Sequence, residues 1–567
     1  MTGVLSTDVL VIGGGAAGAH TALEAAARGA RVQMVVKGLL GKSGCSIFAG
    51  YFPYPDVTTP EKSHERLVNS VRYYNHYLTD QDYVMRMEAY MRDEFFAELE
   101  RLGVYWRRRD DGALEVSPNR ARVVVAQKQG ASGTIIMDKL RRQIFSLGIP
   151  VREECAATGL LVEDGRVVGA SVLDTRRGEL FVVLAKATVI ATGHSDFLAR
   201  RATATREQSA DGIAMALGAG AELANLEIQW WHVSDMAEPR AWMRLHITPS
   251  GLLGTEQTAR LYNARGEMFY EQATHSPTST IPYVEQLRRL SLQVEAGAAR
   301  WDGGYFSGYD HIPPEVIERG QQHAKVWAKL GLELGKDRLE CGISWHMRQG
   351  GIEVEPETMR TGVPGLYAAG AVGGHYLGGL APASYDGRVA GAATAEFAAA
   401  TPAPAPPEGA IAAEQERVLG FLKTAAEGPR PTELKTRVRE IMWELGYVKN
   451  EAKLRAALAA LESVREDGLP RLRLERAGRT WNTDWLDALD LASMLDACEA
   501  AVRSGLLRTE SRGPFFREDY PYVDNANWLR KVLISRADGE WGSRTEPYDL
   551  PYVRPEADRE PFFEVDY

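Results

Sequence analysis

The chain has 567 residues, a net charge of -10 and 45% hydrophobic residues, a length that corresponds to roughly three to four domains with a deep core. Its 66 basic residues are scattered, so neither nucleic acid nor an anionic membrane is an expected partner. Cys45, Cys155, Cys341 and Cys498 lie far apart with no C-x-x-C pair, which argues against a disulfide framework, a metal site or an internal iron–sulfur cluster.

The first predicted element is a strand, Val9-Leu10-Val11-Ile12, which opens into Gly13-Gly14-Gly15-Ala16-Ala17-Gly18. The apolar face of a helix follows at 22–27, and a second strand at 31–36. This order is what a dinucleotide pyrophosphate demands: small residues permit a tight turn and close backbone approach, while free helix amides face the phosphates. With a strand already under way at Val9 there is no room for a signal peptide, and no apolar run reaches membrane-spanning length, so a cytoplasmic protein is expected.

Helical text continues at 80–102 and 134–147. Alternating stretches at 159–174 and 180–190 read as strands, with Glu163-Asp164-Gly165-Arg166 as a hairpin turn. A buried strand then ends in Ala191-Thr192-Gly193, and a second apolar helix is expected at 211–220. From about 230 to 338 the rhythm is lost and aromatic residues increase, which suggests an inserted domain. Strand–helix text resumes at Gly365-Leu366-Tyr367-Ala368-Ala369-Gly370 and ends in a helix at 387–399. The proline-rich segment 401–407 reads as a stiff linker. Beyond it the chain is mostly helical. Leu491, Met494, Leu495, Cys498 and Val502 form a core stripe, with Gly505 as the expected stop.

At this point the residues resemble the flavoproteins of succinate dehydrogenase and fumarate reductase, with L-aspartate oxidase and the alpha chain of adenylylsulfate reductase as relatives. The resemblance rests on Gln33 to Lys37 with Ser43 to Gly50, and on Ser209-Ala210-Asp211-Gly212, similar to T-G-D-G. It rests also on His346-Met347-Arg348-Gln349-Gly350-Gly351-Ile352, similar to H-Y-T-M-G-G-I, and on Glu510-Ser511-Arg512-Gly513 with Arg517-Glu518-Asp519-Tyr520. It implies an α/β fold: a Rossmann-like FAD-binding domain (1–235 and 341–400), an inserted α+β capping domain (236–340), a linker (401–407), a helical domain (408–510) and a C-terminal extension (511–567). It also implies FAD held by Gly13, Gly14, Gly15, Ala16, Ala17 and Gly18, by Val36, Lys37, Lys42, Ser43, Gly44 and Cys45, by Gly193 and Asp211, and by Gly370, Ala371, Gly379 and Leu380.

The departures narrow the expectation. Ser43-Gly44-Cys45 stands where succinate dehydrogenase has S-H-T with its covalently bound histidine, so non-covalent FAD is expected; Cys45 reads as a packing cysteine. Ala371 replaces a ribose-binding glutamate. His232 and His346 fall on the family's two substrate-binding histidines, and Thr255 with Glu256 on its V-T-E loop. Glu267, in a turn similar to N-x-x-G-E-R, reads as a proton relay or as a solvated turn carboxylate. The arginines of A-P-R-D and R-L-G-G have no counterparts in Ser276-Pro277-Thr278-Ser279 and Tyr376-Leu377-Gly378-Gly379. Each bidentate arginine–carboxylate contact is worth about 1.5–3 kcal/mol, so succinate and fumarate are not the expected substrates. Arg348 could restore one positive charge beside His346. Trp230, Trp231, Trp242 and Tyr376 suggest either a larger, flatter substrate or a filled interdomain core.

The leading reading is therefore an FAD-dependent oxidoreductase that transfers hydride between the flavin and a small organic substrate. An iron–sulfur or ferredoxin-like partner receives the electrons, since no cysteine spacing holds a cluster here. The alternatives are an adenylylsulfate-reductase-like enzyme, favoured by Ala383-Ser384-Tyr385-Asp386-Gly387-Arg388, and a flavin-bearing structural or sensing protein without catalysis.

Overall fold

The computed structural model describes residues 3–50, 52–53, 60–116, 122–123, 125–126, 132–235, 260–271, 281–299, 304–319, 328–329, 331–375, 378–422, 427–476 and 478–562. Strand β1 (Val4–Ile12) leads into helix α1 (Ala16–Ala27) and strand β2 (Val32–Val36). Val9, Leu10 and Val11 have no exposed surface, as an apolar run buried on both faces of a parallel sheet requires. The sheet continues with β3 (Val151–Glu153), β4 (Cys155–Glu163), β5 (Arg166–Asp174) and β6 (Glu179–Ile190). Its order is β3-β2-β1-β6-β5-β4, and the short strand Leu366–Ala368 joins it on β6. Pairings among β3, β2, β1, β6 and Leu366–Ala368 are parallel, whereas β4, β5 and β6 form an antiparallel meander. Asp164 (φ 48°) and Gly165 (φ 72°) form the two-residue turn between β4 and β5, as the sequence predicts.

A second, five-stranded antiparallel sheet is built from β7 (Gln229–Asp235), β8 (Arg260–Tyr262), β9 (Met268–Glu271), β10 (Gly304–Gly308) and β11 (Leu339–Arg348), in the order β7-β11-β10-β8-β9. Helix Ile281–Glu295 accompanies it. The chain then returns to the first sheet and enters α2 (Leu380–Ala400).

Helix α2 begins seven residues before the helix predicted at 387. The Ala-Pro-Ala-Ser text ahead of the predicted start belongs to its first turn, where Pro382 lacks only an amide that the helix start leaves unbonded. After the linker comes helix Glu408–Gly420, then α3 (Pro431–Leu445), helix Glu451–Ser463 and α4 (Thr483–Leu507). The predicted stripe on α4 is buried throughout. Gly505 does not stop α4: it lies inside the helix, where a side chain would meet Leu454 and Phe515 at 3.3–3.5 Å. The glycine serves close packing there. Beyond α4, a four-stranded sheet joins the hairpin Arg530–Ala537 and Glu540–Pro547 to Leu223–Ala224 and Gly351–Ile352.

Helices α1 and α2 meet at a close seam. A Cβ on Gly387 would lie 2.3 Å from the Ala17 carbonyl oxygen, and one on Gly391 would lie 2.7 Å from the Glu24 Cβ. Gly387→Ala is expected to destabilise the protein by about 1–3 kcal/mol through overpacking, although alanine is the better helix former. Gly420→Ala, at an open position on another helix, should be neutral or mildly stabilising. Urea unfolding of both variants checks this; equal stability would show that the seam can relax.

Candidate active site

Three loops leave the carboxyl edge of the parallel sheet, where open α/β sheets bind their ligands. The first, after β1, is shaped by contacts only glycine allows. A Cβ on Gly13 would sit 2.2 Å from the Ala191 carbonyl oxygen, one on Gly18 would be 2.2 Å from the Gly13 oxygen, and one on Gly14 would strike Val36 at 2.8 Å. Helix α1 starts at Gly15 without a side-chain cap. Its first amide, on Ala16, donates to Ser46 Oγ at 3.1 Å. The second loop, after β6, carries Gly193 (φ 80°), and the third, after Leu366–Ala368, carries Gly370 (φ 75°), whose Cβ position is 2.8 Å from that of Ala17. Gly379 (φ 103°) precedes α2, which likewise has no side-chain cap. Two uncapped helix starts and a glycine-lined crevice fit a dinucleotide with a pyrophosphate.

The remaining cofactor candidates are placed as follows. Gly44 adopts a left-handed conformation (φ 76°). Beside it, the Cys45 thiol donates to Gln208 Oε1 at 3.2 Å. Ser43 lies against Gly38, and Lys42 reaches Asp138 at the surface at 3.2 Å. Ala371 is half-buried and Leu380 is buried. Lys37 donates to Ser209 Oγ (2.8 Å), Asp211 Oδ2 (3.1 Å) and Asp490 Oδ1 (2.6 Å). Its ammonium therefore ties the end of β2 to the helix start at Asp211 and to α4 of the helical domain. Asp490 also accepts from Lys435 at 3.1 Å.

The candidate catalytic residues gather at β7 and β11. Trp230 pairs with Met347 and Trp231 with Trp345, so His346 is the extra residue of a β-bulge, a device that re-aims a side chain. His346 and Met347 are half-buried while Trp345 and Arg348 are buried. The His346 Nδ1 lies 2.6 Å from Thr203 Oγ1. Segment 201–203 is fastened to β11 by Trp345 N–H to Arg201 (3.0 Å) and Thr203 N–H to Trp345 (2.9 Å). From Thr205 the same segment reaches Gln208, the partner of Cys45. The Met347 thioether lies 3.0–3.2 Å from the Cβ position of Gly378, at the start of α2. His346 is thereby brought to the cofactor loops from both sides.

His232 lies on β7 opposite Ser344, which puts its backbone diagonally across from His346. Among the described residues the guanidinium of Arg348 makes no hydrogen bond through any of its three nitrogens, and it lies 5.8 Å from the Trp345 ring centroid. Burial pushes its pKa below the ordinary arginine value, against the pull of Asp196, Cys498 and Glu227. It is not hydrogen-bonded to His346. Glu267 is not brought to the histidines either: it is exposed on the β8–β9 turn and accepts from Asn263 Nδ2 at 2.8 Å. Thr255, Glu256, Trp242, Thr278 and Tyr376 lie outside the described residues. Trp231 belongs to the interdomain core, 5.8 Å from both Trp345 and Trp443, and Trp230 stacks on His76. Thr203 and Asp490 escape sequence reasoning, because their partners are 143 and 453 residues away.

The glycine-lined crevice at a parallel sheet edge, with a histidine-bearing antiparallel sheet beside it, defines a dinucleotide-dependent α/β protein. The FAD binding domain family model matches residues 8–384, and the fumarate reductase flavoprotein C-terminal model matches residues 435–559. The chain belongs to the fumarate reductase and succinate dehydrogenase flavoprotein family and is an FAD-dependent oxidoreductase. It is 28% identical to a fumarate reductase (CoM/CoB) subunit from Methanothermobacter marburgensis, over 93% of this chain and 97% of that one. It is 24% identical to the 8-methylmenaquinol:fumarate reductase flavoprotein subunit of Wolinella succinogenes, over 94% and 89%. Among solved structures it resembles the Mycobacterium smegmatis Sdh1 complex (TM-score 0.85, 27% identity, 97% and 96% covered). An adenylylsulfate reductase from Archaeoglobus fulgidus shares the fold (TM-score 0.78, 20% identity, 97% of each chain).

The Lys37 cluster yields a pH prediction. Burial alone would raise the Asp490 carboxyl, but Lys37 and Lys435 outweigh it and hold its pKa below the ordinary value. A pKa lowered by folding gives stability that is full above the unfolded value of about 3.9 and is lost as pH falls through the folded value. Asp490→Asn should cost about 3 kcal/mol near neutrality, and its deficit against the wild type should shrink below about pH 4. Unfolding curves across that range check this, and a deficit independent of pH would rule it out.

Proposed function

We propose that this chain binds FAD non-covalently and uses it to add or remove two electrons at a polarised bond of a small organic substrate other than succinate or fumarate. FAD supplies the site that takes up or gives back hydride. His346 is the residue that supports this reading most directly. It sits at a bulge and its Nδ1 lies 2.6 Å from Thr203 Oγ1, which supports assigning its chemistry toward a ligand to Nε2. His232, diagonally across on β7, is proposed as the second imidazole. Each polarises a substrate oxygen by hydrogen bonding while hydride moves. Arg348 contributes positive charge behind them, and Thr255 and Glu267 are proposed as accessory substrate-loop and proton-relay groups.

The relatives named for fumarate would favour that substrate. Against it stand Thr278 and Tyr376, neutral residues where the family clamps its dicarboxylate with arginines. Purified protein should lose its yellow colour to the supernatant on acid precipitation, because Gly44 offers no side chain for a covalent bond. Under anaerobic conditions, succinate should fail to reduce the flavin and fumarate should fail to reoxidise it at useful rates. Rapid turnover with either would overturn the substrate assignment and show that Arg348 and its neighbours rebuild the clamp. Reduction by sulfite plus AMP would instead establish the adenylylsulfate reading, and reduction by no candidate substrate would favour a non-catalytic flavoprotein.

Electrons that reach the flavin must leave it. The four cysteines are separate, Cys155, Cys341 and Cys498 being buried. Among the described residues no group of His, Cys, Asp and Glu is arranged to hold a metal, and no helix is long and apolar enough to cross a membrane. We therefore assign electron exit to a separate iron–sulfur or ferredoxin-like protein. Anaerobic affinity isolation from the native cell should recover it. A flavoprotein recovered alone, with oxygen consumption matching substrate turnover, would exclude that partner.

A further inference from the structure

We infer that a buried pocket between the histidine-bearing sheet and the helical domain binds one ordered water molecule, held by Gln229 and Trp231 of β7 and by Lys449. The pocket lies where β7 and β11 pack on α3 and α4, and it leaves about 20 Å³ to the centre of a water-sized sphere. One water needs roughly 10–15 Å³ on that measure, and the space is too small for an organic ligand. The polar side chains on its otherwise apolar wall are Glu227, Gln229, Lys449 and the indoles of Trp231 and Trp345. The Trp345 N–H already donates to Asp196 at 3.3 Å.

Each remaining polar group has a defined capacity left. Both amide hydrogens of Gln229 are used, on the Trp230 carbonyl (2.9 Å) and the Met347 carbonyl (2.8 Å), which fixes the amide and leaves Oε1 as an acceptor. Gln229 Oε1 and Trp231 Nε1 have no hydrogen-bond partner among the described residues, although the two residues are only 4% and 2% exposed. Lys449 is buried and spends two hydrogens on the carbonyls of Gly446 (2.9 Å) and Tyr447 (3.2 Å). Its Nζ lies 6.0 Å from the Trp231 ring centroid and 5.7 Å from that of Phe515, at the outer limit of a cation–π contact. Glu227 is committed to Arg508 Nε at 2.6 Å and to Ser504. One indole donor, one amide acceptor and one position on the lysine nitrogen therefore remain, and polar groups left bare in a dry interior are costly. A water carries two hydrogens and two lone pairs. It accepts from Trp231 and donates to Gln229. Burial, with Lys453 and Arg517 nearby, lowers the Lys449 pKa to about 7, and a water pairs with either form, accepting from the ammonium or donating to the free amine. An anion would meet the Gln229 oxygen and the Glu227 carboxylate, and a cation would meet the ammonium. The water ties β7, at the residue before His232, to the segment that follows α3.

The test uses the FAD-loaded full chain, crystallised from sodium bromide and studied at high resolution, and the variant Val502→Ile, whose extra methyl lengthens a side chain on the pocket wall. The wild type should show one water peak about 2.7–3.2 Å from both Trp231 Nε1 and Gln229 Oε1, with no bromide anomalous signal there. Val502→Ile should lose that peak and melt at a lower temperature, because displacing the water leaves the polar groups bare. A bromide signal in the pocket would assign it to an anion and overturn the proposal. A dry pocket in the wild type would overturn it too, including one in which Gln229 Oε1 accepts directly from Arg348, its partner across β7 and β11. In solution, a Val502→Ile melting temperature equal to or above that of the wild type would overturn it without crystals, since filling a dry cavity stabilises a protein. If Val502→Ile does not fold, the wild-type density alone decides.

Discussion

Everything at the crevice depends on how closely α1 approaches α2. These helices lie more than 350 residues apart in the chain, yet Gly387 and Gly391 let the second rest on the backbone of the first at Ala17 and Thr21. Gly370 brings the end of strand Leu366–Ala368 onto Ala17 in the same way. The chain must therefore insert a whole five-stranded sheet between two halves of one cofactor site and still close the seam to within a carbonyl radius. Small residues at this seam are a steric requirement, since a methyl group at Gly387 would displace either the helix or the phosphate loop. The arrangement couples the second half of the domain to the first.

A second set of constraints fastens the helical domain and the C-terminal extension to that crevice, and it is built from buried charge. Lys37 and Lys435 share Asp490, which joins β2 to α3 and α4. Further along, Arg508 binds Glu227 (2.6 Å) and Glu510 (2.9 Å), and Arg512 binds Glu510 through both Nε and one terminal nitrogen at 2.8 Å. Arg512 also reaches the His76 carbonyl at 3.2 Å. Burying such groups yields little net stability, because desolvation consumes most of the attraction. What they contribute is registry: a shifted domain would leave several charges unpaired in a dry interior. The Glu510-Ser511-Arg512-Gly513 signature thus acts in assembly, through contacts among buried charges.

The legible parts of the fold were those set by local rules. A strand, three glycines and a helix within about thirty residues specify the phosphate loop whatever surrounds them, and the Asp164-Gly165 turn follows from backbone preference alone. Where tertiary packing dominated, local reading failed. Gly505 reads as a stop but is a packing notch against Leu454 and Phe515, and α2 begins seven residues earlier than read because Pro382 is harmless at a helix start. The site divides in the same way. The candidate His346 stands out through the motif around it, whereas Thr203 and Asp490 do not, because each depends on a contact between segments that no spacing connects. Arg348 shows the limit from the other side: its charge is legible, but its direction follows from the bulge at His346.

That bulge also bears on how the family changes substrate without changing fold. One extra residue in β11 leaves His346 half-buried while Trp345 and Arg348 are buried, so neighbouring positions serve different surroundings. Segment 201–208 then locks the imidazole to the flavin-approach loop through Thr203 and Gln208. Trp231, Trp345 and Trp443 pack against one another beside this segment. In the sequence, Thr278 and Tyr376 stand where the family resemblance places carboxylate-clamping arginines. On the proposed reading, a core-held imidazole and exchangeable clamp positions separate electron chemistry from substrate recognition, which is why this sequence speaks more directly to the former.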